Sequence, residues 1–75
     1  MTIQNLINDI IKDKVTIKRV GEDCNEKATF KDLEHAWSRT SEQGQEKALK
    51  LYESGKTAIL EEDCDYFITF RKKAK

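Results

Sequence analysis

Ile3, Leu6, Ile7, Ile10 and Ile11 recur along the opening segment at spacings of three and four, with Gln4, Asn5, Asn8, Asp9 and Lys12 between them. That is the period of an amphipathic helix. Thr2 offers an N-cap hydroxyl, and Lys12 and Lys14 suit the negative C-terminal end of the helix dipole. At Val15 the period shortens to two: Val15, Ile17 and Arg19 alternate with Thr16, Lys18 and Val20, which predicts a strand over 15–20. The polar run GEDCNEK over 21–27 carries the Gly, Asp and Asn that turns need, and reads as a hairpin loop or a plain connection. Ala28, Thr29 and Phe30 then form either a short returning strand or the start of the next helix. Thr29 with Asp32 three residues on matches a capping box with aspartate in the usual Glu or Gln position.

The helical period returns from Lys31, with Leu33, Ala36 and Trp37 on one face and Trp37 expected as a core anchor. The polar stretch 38–45 holds two good caps, Thr40 and Ser41, and a poor helix former, Gly44, so a break or kink is expected there. A second helix carries Ala48, Leu49, Leu51 and Tyr52, and Gly55 closes it where a left-handed residue is wanted. The strongest strand signal is last: a run over 57–60, an acidic turn over 61–65, and a run over 66–71. In that last run Tyr66, Ile68 and Phe70 share one face and Phe67, Thr69 and Arg71 the other, so Phe67 is either covered by another element or exposed. Residues 72–75 form a basic tail expected to fray.

The predicted fold is α+β: an N-terminal helix, a central helix or helix pair, and a three- or four-stranded antiparallel sheet ending in a C-terminal hairpin. An internal echo accompanies it. Asp23, Cys24, Thr29, Phe30 and Lys31 have the same spacing as Asp63, Cys64, Thr69, Phe70 and Arg71, which suggests two cysteine-bearing hairpin turns each followed by a strand ending in Thr-Phe.

The chain of 75 residues reads as one domain over 1–75, too small for a deep enzyme cleft. Hydrophobic and charged residues each make up 37%, enough for one core under a heavily charged surface. Fourteen basic residues balance fourteen acidic ones, which removes any global electrostatic drive towards nucleic acid or membrane. No run approaches the roughly 20 apolar residues that span a bilayer, and the N-terminal segment is too polar for a secretory signal. Two cysteines are too few for a disulfide scaffold. The expected location is therefore the cytoplasm, with free thiols.

Candidate chemistry changes little. His35, the only histidine, reads as a partly buried helix residue beside Leu33 and Trp37 rather than a proton shuttle or ligand. Cys24 in EDCNE and Cys64 in EEDCD sit among carboxylates, which disfavour the reactive thiolate, so neither is expected to act as a nucleophile. No close Cys or His pair nucleates a zinc site, the acidic turn lacks the alternating ligands and glycine of a calcium loop, and Gly21, Gly44 and Gly55 are too scattered to cradle phosphate. No enzymatic activity and no cofactor is expected.

Two binding readings are left. In the first, Glu22 and Asp23 in one turn and Glu61, Glu62, Asp63 and Asp65 in the other, with Tyr66 and Phe67 adjacent, form the docking surface of a small protein-binding module: a regulator, inhibitor, adaptor or phage-type accessory protein, monomeric or homodimeric. In the second, the helix, strand, helix, helix, strand, strand order, with the spacing from Leu33 through Trp37, Thr40, Gly44, Ala48 and Leu51 to Gly55, resembles a winged helix-turn-helix domain. That resemblance implies a DNA-binding regulator with 57–71 as its wing and Ser41, Gln43, Gln45, Glu46, Lys47 and Lys50 facing the major groove. Four acids at the presumed wing tip and a net charge of zero favour a protein partner over DNA.

Overall fold

The computed structural model describes residues 2–63 and 65–73, without the side chains of Glu62 and Asp63. Helix α1 (Ile3–Ile11) leads into strand β1 (Val15–Gly21) and strand β2 (Cys24–Lys27); α2 (Phe30–Arg39) and α3 (Glu42–Glu53) follow, then β3 (Ala58–Asp63) and β4 (Tyr66–Lys72). The four strands form one antiparallel sheet in the order β2-β1-β4-β3. The α+β class, the leading helix, the helix pair and the closing hairpin all match the pattern in the sequence.

Local chemistry sets the helix boundaries. The Thr2 hydroxyl accepts from the Asn5 amide at 3.3 Å and starts α1. At α2 the capping box closes in both directions: the Thr29 amide donates to Asp32 Oδ2 at 2.9 Å, and the Asp32 amide donates to Thr29 Oγ1 at 3.3 Å. Ala28 and Thr29 thus lead into a helix rather than a strand, although the Ala28 amide still donates to the Ile17 carbonyl at 3.0 Å. The break between the central helices falls at Thr40 and Ser41, where the Ser41 hydroxyl caps α3 through the Gly44 amide at 3.2 Å. Gly44 lies inside the first turn of α3, close under Thr40, whose methyl would sit 2.7 Å from a Cβ at position 44. Gly55 follows α3 at φ 81°, the left-handed conformation that glycine adopts without a steric penalty.

The helices cover one face of the sheet. Register places Ile17, Phe70 and Ala58 on one rung and Arg19, Ile68 and Leu60 on the next, and the apolar members of both rungs are buried. Leu6, Leu33, Ala36, Ala48 and Tyr52 pack onto them from the helices. The central aromatic is Tyr52 rather than Trp37: Tyr52 is fully buried with its ring 5.6 Å from that of Phe70, whereas Trp37 is half-buried at the margin of the core. The Tyr52 hydroxyl donates to Asp9 Oδ2 at 2.8 Å and ties α1 to α3. Arg19 spans from the sheet to α2, reaching Asp32 at 2.9 Å and Glu26 at 3.3 Å.

Other expectations need correction, among them the loop over 21–27, of which Cys24–Lys27 is strand β2. Residues 61–63 belong to β3 rather than to a turn, because the strand continues past Leu60 and takes up a bulge between Glu61 and Asp63. Lys72 ends β4 and Lys73 makes two bonds, its amide to the Lys14 carbonyl at 2.9 Å and its Nζ to Asp13 at 2.7 Å; residues 74–75 lie outside the described set. The echo also breaks down, since Thr29 and Phe30 start a helix while Thr69 and Phe70 lie within a strand; Cys64 lies outside the described residues. No helix among the described residues is long and apolar enough to cross a membrane.

Candidate functional site: an acidic hairpin edge and an open sheet face

Gly21 pairs with Cys24 in β2 and with Tyr66 in β4, and Tyr66 pairs in turn with Asp63 in β3. All four strands therefore meet at one end of the sheet, and both hairpin turns emerge there. Glu22 and Asp23 form the β1–β2 turn, and Asp65 lies in the β3–β4 turn; all three are exposed. Glu61 lies one step down β3, exposed opposite Phe67. The backbones of Glu62 and Asp63 run at the same end within β3, and their side chains lie outside the described set. Acidic clusters some forty residues apart in sequence thus share one edge.

Tyr66 and Phe67 sit beside these acids on opposite faces. Tyr66 is on the helix-covered side, where its ring fills the space above Gly21: a Cβ at position 21 would meet Tyr66 Cδ1 at 2.6 Å. Phe67 is on the uncovered side, 41% exposed, between Val20 on β1 and Glu61 on β3. Ile59 on the same face is 56% exposed. Below that rung the face turns basic: Lys18 pairs with Lys27 and with Thr69, and Arg71 pairs with Thr16. The β-branched alternation over 15–20 foreshadowed the outward set Thr16, Lys18 and Val20. The Lys18–Lys27 pairing was hidden because 24–27 looks like a loop.

Three groups elsewhere in the fold are shifted from their ordinary values. The Thr29 amide and hydroxyl, and then Arg19, hold the Asp32 carboxyl below its ordinary range. Hydrogen bonding and charge from Lys73 do the same for Asp13. Burial, reinforced by the bond to Asp9, pushes the Tyr52 phenol far up. The half-buried Cys24 thiol lies 3.7 Å from the Arg19 carbonyl, and His35 is exposed on α2 rather than partly buried, on the side away from Leu33 and Ala36. Among the described residues no three His, Cys, Asp or Glu side chains gather as a metal site. A concavity of about 670 Å³ lies between the α2–α3 junction and β3, lined by Arg39, Ser41, Lys47 and Leu51 among others. None of the polar or charged side chains lining it is buried to fix a ligand's orientation. Comparison with known proteins found no matching family model, no matching curated protein and no matching solved structure.

Proposed function

We propose that this chain is a small non-catalytic protein-binding module, a regulator, inhibitor or adaptor of the cytoplasm, that docks through its acidic hairpin edge and the open-face aromatic beside it. The observation that supports this most is the shared rung at Gly21 and Tyr66, which gathers Glu22, Asp23, Glu61 and Asp65 at one end of the sheet next to an exposed Phe67. Such an edge suits a partner with a basic patch and an apolar spot. The acids speed and orient the encounter, while burial of the phenylalanine contributes most of the affinity. Capture from native-cell extract, using the wild type and a variant with Glu22, Asp23, Glu61 and Asp65 changed to amides, tests this. A partner held by the wild type and lost by the variant, with the affinities re-measured on purified proteins, is the expected outcome. Equal retention by both baits contradicts the acidic edge as the interface.

A winged-helix-like DNA-binding regulator is the second reading, favoured by the two-residue connection of α2 to α3 through Thr40 and Ser41. Against it stand the β1–β2 hairpin, which adds a strand to the winged-helix order, and the exposed surface of α3, where Glu42, Glu46 and Glu53 outnumber Lys47 and Lys50. A gel shift on random duplex DNA at low salt would revive it, and no shift would remove it.

A further inference from the structure

We propose that the open face is an isologous interface: two copies of this chain stack open face to open face with their strands running in opposite directions. This rests on the preceding reading of the edge and face as a docking surface, and it names the partner as a second copy.

The argument comes from how charge is distributed along the strands. At the turn end of the sheet stand Glu22, Asp23 and Asp65, with Glu61 on the open face beside Phe67; further along that face stand Lys18, Lys27 and Arg71. The face is acidic towards the turn end and basic towards the other, with Val20 and Phe67 on the rung of Glu61 and Ile59 on the rung of Lys18 and Lys27, and the whole chain carries no net charge. A two-fold interface must complement itself. An axis lying between the stacked sheets and across the strands lays each acidic end over the partner's basic end and brings the apolar residues of the two faces together. An axis along the strands sets acid over acid and base over base. The charge pattern selects the first.

Lys18 and Lys27 add an independent reason. They are direct cross-strand neighbours, an arrangement of like charges that destabilises a sheet. Neither makes an ion pair among the described residues, and the nearby Asp13 carboxylate is bonded to Lys73. On the covered face, by contrast, Arg19 is paired with both Asp32 and Glu26. Asp13 attracts Lys27 but is bonded to Lys73, so the partner's acidic turn supplies the close counter-charge that the described residues leave out. Four strands about 4.8 Å apart give a face of several hundred Å², so the two copies bury on the order of 1,000 Å² together, the low end for a specific interface. The dimer is therefore weak, salt-sensitive and concentration-dependent.

Sedimentation equilibrium of the full chain, from roughly 10 μM to 1 mM and at about 20 mM and 500 mM salt, tests this. A monomer–dimer equilibrium is expected, at least about tenfold weaker at the higher salt. K18E/K27E is expected to be monomeric, and so is E22K/D23K. Combining all four changes in one chain returns the net charge to zero, exchanges the two ends and restores the dimer. A control that compensates K18E/K27E with E42K/E46K on α3 has the same net charge and stays monomeric. Far-ultraviolet circular dichroism confirms that each variant is folded, and exchanging a Lys–Lys for a Glu–Glu pair leaves the cross-strand repulsion similar. A wild type that is monomeric throughout overturns the self-association, while the captured-partner experiment still stands on its own. A dimer of the α3-compensated control overturns the proposed charge arrangement.

Discussion

The ring of Tyr66 occupies the space that a side chain at position 21 would need. A Cβ on Gly21 would lie 2.6 Å from Tyr66 Cδ1 and 2.8 Å from the Asp65 carbonyl oxygen, both closer than van der Waals contact allows. The glycine thus serves close approach, since the non-helical backbone at Gly21 is not among the positive-φ positions. It also lets the β3–β4 turn fold down beside the β1–β2 turn. Gly21→Ala is expected to cost about 1–3 kcal/mol in urea unfolding. In a Tyr66→Ala background the cost should shrink without vanishing, because the Asp65 carbonyl is still in the way. Full additivity of the two changes would mean that ring and glycine are not in contact.

Tyr52 predicts behaviour in alkali. Its phenol is buried and bonded to Asp9, so its folded-state pKa lies above the ordinary value of 10.0. A raised pKa contributes stability that is complete below the unfolded value and declines as the pH climbs beyond it. Tyr52→Phe is expected to lose about 1–2 kcal/mol at neutral pH through the missing bond. Above pH about 10 the gap between wild type and variant should close. A gap constant from pH 7 to 11 would mean that the phenol is not held in its protonated form.

The capping box at α2 has the opposite sign. Asp32 is held below its ordinary value of 3.8 by Thr29 first and by Arg19 second. A lowered pKa contributes stability present above the unfolded value and lost as the pH falls towards the folded one. Asp32→Asn is expected to cost about 1 kcal/mol at pH 7. Below pH about 4 its penalty should diminish, and acid unfolding curves of the two proteins should converge.

Much of this architecture is legible in the sequence because local rules and tertiary packing agree there. Thr29 with Asp32, Ser41 ahead of the second central helix and Gly55 after it all mark helix ends through backbone hydrogen-bonding needs that do not depend on the rest of the fold. The short strand β2 is different. CNEK has the composition of a loop, and becomes a strand because the two-residue turn at Glu22 and Asp23 returns it along the edge that β1 offers. The acids of the candidate site were each visible, but their assembly was not. It depends on β4 returning between β1 and β3, a long-range pairing that no local pattern encodes.

Phe67 and Phe30 separate the open face from the rest of the surface. The two are almost equally exposed, at 41% and 38%, but Phe67 stands on the uncovered side of the sheet and Phe30 lines a groove between α1 and α2. Truncating either should cost little stability, since each already contacts water; chemical denaturation is expected to show no more than about 1 kcal/mol for Phe67→Ala. Their effects on association should differ sharply. The most direct measurement is the affinity of the captured partner, by titration calorimetry, for wild type, Phe67→Ala and Phe30→Ala. A loss of about tenfold or more for Phe67→Ala, with Phe30→Ala within about twofold of wild type, is expected. The reverse order, or equal binding by all three, would contradict the open face and its acidic edge as the docking surface.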